Sequence, residues 1–289
     1  MSDKKLFCFG YGYTAAALGR RLRDQGWRVA GTTTREDKAH AMRDDNIEAH
    51  LWGGNALPDD ALDDATAILV STPPGDDGCP AFNAASAAIA ARAPALQWIG
   101  YLSTNGVYGD HDGAWVDETT ELRATSERAR RRIAAEGQWR YLAATHDHPL
   151  AIFRLPGIYG PGRSALDTVR AGTPKRIYKD GQVFSRMHVD DIVAALEAGI
   201  EHPRLHEFYN LADDEPAPPQ DVIEYARTLL GVSPPPLVPI EEADLSPMAK
   251  SFYADNKRVS NQRMKDALGV SLRYPTYREG LQAIAGAMS

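Results

Sequence analysis

At 289 residues the chain is long enough for one large domain or two closely packed lobes, and its 43% hydrophobic and 25% charged composition is ordinary for a soluble globular protein. A net charge of -7 argues against a nucleic-acid partner, because neutralising phosphates needs a basic face. No apolar run reaches the ~18 residues of a membrane span, and Met1 to Lys5 meets a glycine turn too soon for a signal peptide, so a cytoplasmic protein off the membrane is expected.

Lys5 to Phe9 predicts a buried strand that runs into Gly10-Tyr11-Gly12-Tyr13-Thr14-Ala15 and then a helix over Thr14 to Gln25. A strand ending in glycines at the start of a helix is the geometry that binds a dinucleotide pyrophosphate. Gly10 permits the tight turn, and Gly12, without a Cβ, lets backbone approach the phosphates. Ala15 keeps helix and strand close, while Tyr13 and Thr14 open a helix whose free N–H groups and positive dipole end face the anion. A bare turn between two core elements is the alternative for such a string.

The second strand, Trp27 to Thr33, leads into Thr34 and Arg35. A free ribose 2′-hydroxyl usually meets a carboxylate at this place. Here Thr33 and Arg35 offer hydroxyl and guanidinium donors suited to a 2′-phosphate, which favours NADP(H) over NAD(H). Glu36 and Asp37 follow, and a shift of the loop would return a carboxylate to the ribose.

Further strands are predicted at Glu48 to Trp52, Ala67 to Ser71, Trp98 to Ser103 and Leu150 to Leu155, with helices over Lys38 to Arg43, Ala81 to Arg92 and Ser126 to Tyr141. The alternation implies an α/β fold, a doubly wound, Rossmann-like parallel sheet. Thr72 and Pro73 end the fourth strand at the sheet edge where ligands of such folds lie, although a strand cap and turn reads equally well. Arg128, Arg130, Arg131 and Arg132 read first as a solvated helix face. Cys8 and Cys79 read as unlinked thiols, and no His/Cys spacing suggests a metal.

Beyond Pro156 the pattern loosens around Gly160-Pro161-Gly162, Thr173-Pro174, Pro216 to Pro219 and Pro234 to Pro236, with helices over Val189 to Glu201, Gln220 to Leu230 and Tyr277 to Ala287. Residues 1–155 are thus expected to form the dinucleotide-binding domain, taking back part of 181–213. Residues 156–289 form mainly a smaller substrate-side lobe.

From Trp98 onward the chain resembles the extended short-chain dehydrogenase/reductases, in particular the NAD-dependent epimerase/dehydratase group. The resemblance is carried by Leu102 to Asp110 (LSTNGVYGD), Phe153 to Gly162 (FRLPGIYGPG), Met187 to Asp191 (MHVDD), Phe208 to Ala212 (FYNLA), Leu268-Gly269, Tyr274-Pro275 and Glu279 to Leu281. It implies a small-molecule substrate and a catalytic set of a Ser/Thr hydroxyl, a tyrosine acid/base, and a lysine one helical turn further on. Thr104 matches the hydroxyl, with Ser103 beside it at the cofactor. Counting back from Ile133-Ala134-Ala135-Glu136 places Arg128 and Arg132 where the tyrosine and lysine would stand. A guanidinium stays protonated near neutrality and cannot act as that phenol does, though Arg128 or Arg132 can contact anionic groups, and Arg132 can hold ribose or phosphate oxygens.

The resemblance therefore implies an atypical subset lacking the Tyr-x-x-x-Lys pair. Phe184 stands where sugar-nucleotide epimerases carry a pyrophosphate-gripping arginine, with Arg186 two residues on. Asn105, Arg163 and Arg186 are the candidates for substrate contact. Tyr108 and Tyr159 lie in Tyr-Gly turns that read as structural, His188 reads as ordering local backbone, and Asp190-Asp191 as capping the next helix. A homodimer through the helices at 81–92 and 126–141 is common in the family. The leading reading is an NAD(P)-binding oxidoreductase or epimerase-like enzyme; the alternative is a non-catalytic dinucleotide-sensing or interaction protein.

Overall fold

The computed structural model describes residues 4–58, 60–92, 95–172, 176–205 and 207–288; the Thr173-Pro174 break lies outside them. In chain order the elements are β1 Lys5–Phe9, α1 Tyr13–Asp24, β2 Arg28–Thr33, α2 Glu36–Asp44, β3 Glu48–Leu51, β4 Ala67–Val70, α3 Pro80–Ala90, β5 Trp98–Thr104, β6 Trp115–Val116 and α4 Glu127–His146. They continue with β7 Leu150–Leu155, β8 Gly157–Tyr159, α5 Ala165–Arg170, β9 Arg176–Tyr178, β10 Arg186–His188, α6 Val189–Glu201, β11 Phe208–Asn210 and α7 Pro219–Leu229. The last are β12 Leu237–Pro239, α8 Pro247–Tyr253, β13 Arg258–Val259, α9 Gln262–Leu268 and α10 Tyr277–Ala287.

β11, β7, β5, β4, β1, β2 and β3 form, in that order, one parallel sheet. Leu6 lies opposite Val29 on one side and Ala67 on the other, and Ala67 opposite Trp98. β1, β4 and β7 are buried along their whole length, as strands covered on both faces must be, which explains their near-continuous apolar runs. Strand order reverses between β1 and β4, so the chain leaves the sheet to opposite sides there and opens a crevice at the C-terminal ends.

Two compact units divide the chain. The first comprises residues 1–104, 130–154 and 193–209; the second takes 105–129, 155–192 and 210–289. Residues 105–129, which the strand–helix alternation places in the N-terminal domain, thus belong to the second unit. They carry a 3₁₀ turn and one two-residue strand, too little to join the large sheet.

The first unit packs Phe7, Phe9, Ile68, Val70, Ile99 and Tyr101 against Ala85 and Ile89 of α3 and Trp139 and Leu142 of α4. Among these apolar groups lies one buried ion pair. The Arg154 guanidinium donates to both Glu136 oxygens, at 3.2 and 2.9 Å, Ser103 Oγ donates to the same carboxylate at 2.5 Å, and the Phe208 ring lies 4.5 Å from the guanidinium carbon. All the carboxylate's partners come from separate elements, so the pair fixes α4 on β5 and β7.

In the second unit Tyr159, Leu166, Val169, Ala226, Tyr277, Leu281 and Ile284 form a separate core. Capping boxes start α5 at Ser164/Asp167 and α10 at Thr276/Glu279. Asp191, in the first turn of α6, does not cap that helix. Its carboxylate instead accepts the N–H groups of Arg273 (2.8 Å) and Tyr274 (3.0 Å), tying the start of α6 to the loop before α10. Among the described residues no helix is long and apolar enough to cross a membrane.

Removing one partner of the buried pair strands a charge. Glu136→Ala should lower unfolding free energy by about 3–5 kcal/mol, whereas Glu136→Leu combined with Arg154→Met should cost far less, as read from urea denaturation midpoints.

Candidate dinucleotide site

A cavity of about 420 Å³ lies at the C-terminal edge of β1, β2 and β4. It is lined by Gly10, Tyr11 and Gly12 of the first turn, Thr32, Thr33 and Thr34 at the end of β2, and Lys38 of α2. Ser71, Thr72 and Pro73 after β4, Trp52, Gly53 and Gly54 after β3, and Pro80 of α3 complete it.

Gly10 has φ +81°, and a Cβ there would lie 2.9 Å from Thr72 Cγ2, so only glycine fits without strain. Its N–H donates to Thr32 Oγ1 at 2.8 Å, and the next N–H, of Tyr11, donates to the Thr32 carbonyl at 2.8 Å. Gly12 differs. Its φ is -82°, and a Cβ would sit 3.9 Å from Ser71 Oγ and 4.0 Å from the Gly10 carbonyl, ordinary contacts. The protein leaves room at Gly12, beside the cavity.

α1 begins at Gly12 with no side-chain oxygen capping it and no acidic residue in its first turn. No first-turn carboxylate therefore competes for its leading N–H groups, which suits a pyrophosphate. Thr14 and Ala15 are buried in the first turn, where Ala15 permits close packing. The Tyr11 side chain is buried, its ring lying where a Cβ on Gly31 or Gly19 would stand, and burial pushes its phenol well above the usual range.

The basic group on the cavity is Lys38, not Arg35. Arg35 is mostly exposed, donates its Nε to Asp37 Oδ1 at 3.0 Å, ion-pairs with the same carboxylate, and does not line the cavity. Lys38 lies one residue after Asp37, in the first turn of α2, and faces inward; among the described residues its ammonium has no hydrogen bond or ion pair. Burial, with a smaller push from Arg35, lowers its pKa. A lysine in the first turn after a strand that ends in threonines was the available sequence signal.

Of the residues counted as catalytic, Thr104 is the half-buried last residue of β5. Ser103 is buried, and its hydroxyl donates to Glu136. Arg132 is likewise engaged: its Nη1 donates to the Leu102 carbonyl at 2.5 Å, and the Tyr101 ring lies 5.8 Å away. Arg131 pairs with Asp76. Arg128 is exposed and lies over the Phe252 ring at 4.8 Å.

The second unit holds the substrate candidates. Asn105 opens the 3₁₀ turn to Tyr108, and Arg163 closes a turn through mutual backbone bonds with Gly160. Arg186 is buried: Nη2 donates to the Ala217 carbonyl at 3.2 Å, the guanidinium lies 5.4 Å from the Tyr277 ring, and Nη1 has no partner among the described residues. Beside it burial pushes the Asp213 carboxyl up to about 8, opposed by Arg186. Tyr108 donates to Asn210 Oδ1 at 2.7 Å and Tyr159 to the Thr276 carbonyl at 3.4 Å. His188 Nδ1 accepts the Asp190 N–H at 3.2 Å. No cluster of three metal-ligating side chains occurs among the described residues.

A doubly wound sheet with a glycine turn, a helix N-terminus that no side chain caps and a crevice at the switch point is the arrangement found in dinucleotide-binding α/β folds. Residues 84–212 match the model of the NAD-dependent epimerase/dehydratase family. A structure of a functionally unknown conserved protein from Silicibacter pomeroyi DSS is 50% identical with a TM-score of 0.91, each chain covered over 99%. Protein YeeZ of Escherichia coli (strain K12) is 28% identical, the match covering 94% of this chain and 97% of that one. UDP-glucuronic acid 4-epimerase from Bacillus cereus, solved in complex with NAD, is 16% identical with a TM-score of 0.76, over 98% of this chain and 97% of that one, a likeness of fold.

The room at Gly12 separates fold from binding. Gly12→Val should change unfolding free energy by no more than about 1 kcal/mol, the scale of an N-cap effect, while calorimetric affinity for the dinucleotide falls at least tenfold. Equal affinity in both proteins would move the pyrophosphate elsewhere.

Proposed function

We propose that this protein is an NADP(H)-dependent oxidoreductase or epimerase-like enzyme that works without the Tyr-x-x-x-Lys pair. The observation that carries the cofactor preference is Lys38, whose ammonium makes no hydrogen bond or ion pair among the described residues, on a cavity that it shares with Thr33 and Thr34. Such a cation, with Asp37 acting on it only at a distance, suits the 2′-phosphate that distinguishes NADP from NAD, and no carboxylate is among the described residues that line the cavity to meet a free 2′-hydroxyl.

A single charge-assisted contact contributes about 1.5–3 kcal/mol. Titration calorimetry should thus find tighter binding of NADPH than NADH. Lys38→Ala should weaken NADPH roughly ten- to a hundredfold with little change for NADH, and Arg35→Ala should change either less than about threefold. A wild type that prefers NADH would overturn the preference.

The substrate reading rests on what replaces the usual groups. Arg132 is held on the Leu102 carbonyl and no phenol stands at position 128, so any proton delivered to substrate takes another path. Phe184 carries no charge for a substrate pyrophosphate, and its ring instead packs edge-on to Tyr253 at 5.4 Å. Nucleotide sugars and simple alcohols should therefore give no robust turnover in reduced-cofactor absorbance. With a substrate that does turn over, Thr104→Ala should lower the rate at least ~10-fold, the weight of one donor at a developing oxyanion. The engagement of Ser103 and Arg132 in the fold favours a second reading, a dinucleotide-sensing protein without catalysis. Cofactor binding with no hydride transfer to any carbonyl substrate would select it.

A further inference from the structure

Along the arginine-rich start of α4 two guanidiniums are taken by oxygen partners: Arg131 by Asp76 and Arg132 by the Leu102 carbonyl. Arg128 is different. It is exposed, its guanidinium carbon lies 4.8 Å from the centre of the Phe252 ring, and among the described residues it has no hydrogen bond and no ion pair. Attraction to a ring consumes none of the five N–H donors, so the planar fork that recognises a carboxylate in bidentate fashion is still open.

Phe252 is itself 47% exposed, yet its place is fixed. Its neighbour Tyr253 packs edge-on against Phe184, and Lys179 Nζ donates to the Tyr253 carbonyl. Two residues further, Asp255 accepts from Thr125 Oγ1 at 2.8 Å and lies 3.6 Å from Lys257 Nζ. Residues 252–255 therefore meet Arg128, Lys179 and Lys257, of which Lys257 is balanced by Asp255 and Asp110 and Lys179 is taken by the Tyr253 carbonyl. An open guanidinium and an exposed apolar ring lie together in the second unit.

We infer that Arg128 and Phe252 form a binding site for a planar conjugated carboxylate, the carboxylate taken by the Arg128 fork and the conjugated body packed on the exposed part of Phe252. Taking that ligand as the substrate rests on the oxidoreductase reading above; the binding itself does not. Two oxygens in one plane match the guanidinium edge, and an aromatic or unsaturated body gains from the ring what an aliphatic acid cannot.

The test is titration calorimetry of 4-hydroxycinnamate into the full chain, with and without saturating NADPH, and of 4-hydroxycinnamyl alcohol, succinate and phenyl phosphate as comparison ligands. The cinnamate should bind, the alcohol and succinate at least about tenfold more weakly. Arg128→Ala and Phe252→Ala should each weaken the cinnamate by about tenfold or more and leave NADPH affinity unchanged. Both side chains are exposed, and unchanged NADPH binding reports that the variants are folded. No binding of the cinnamate, equal binding of the alcohol, tighter binding of phenyl phosphate, or an unaltered Arg128→Ala overturns the assignment. Failure of NADPH to bind the wild type, with the carboxylate still bound, would instead count against the cofactor reading alone.

Discussion

The close pass of Gly10 beneath Thr72 is the constraint on which the cofactor edge depends. A left-handed glycine lets the chain leave β1 within contact distance of the end of β4, and Thr32 then holds that position with its hydroxyl and its carbonyl. With two donors of the turn bound to one residue of β2, the three strand ends and the start of α1 are placed as one unit. The crevice follows from this: β1 and β4 send their chains to opposite sides, and the turn lies between them.

α4 shows how much of a familiar active-site scaffold can be given over to structure. Glu136 is buried with Arg154 and Ser103, and one turn earlier Arg132 bonds the Leu102 carbonyl. Both arrangements clamp the helix on β5. The guanidinium at 132 is long enough to reach a strand carbonyl that, once bonded, is satisfied for good. Arg128, one turn earlier still, is exposed and lies over the Phe252 ring.

Much of the sheet was legible because parallel strands covered on both faces are unbroken apolar runs, as at Leu6 to Phe9 and Ile68 to Val70. β11 and the short paired strands β8 with β10 and β9 with β12 were not, since three residues show no period. The turn residues of the site were readable for a backbone reason, the glycine spacing. Which of Arg35 and Lys38 lines the cavity was not legible, for a side-chain reason. Residue type and spacing cannot say that Asp37 will capture the nearer cation and leave the farther one facing the cavity. The burial of Arg186 and Ser103 was equally hidden, since each is held by partners far along the chain, Ala217 and Glu136.

The start of α1, which no side chain caps, would make a dinucleotide bound there part of the fold's own hydrogen bonding. At a helix that begins at a glycine with no side-chain cap, a bound anion serves as the cap. Cofactor and folding are in this way thermodynamically linked. A ligand at a hundred times its dissociation constant adds about 2.7 kcal/mol to the stability of the state that binds it. The protein's resistance to unfolding thus becomes a readout of how much dinucleotide surrounds it, whichever chemistry the rest of the chain performs.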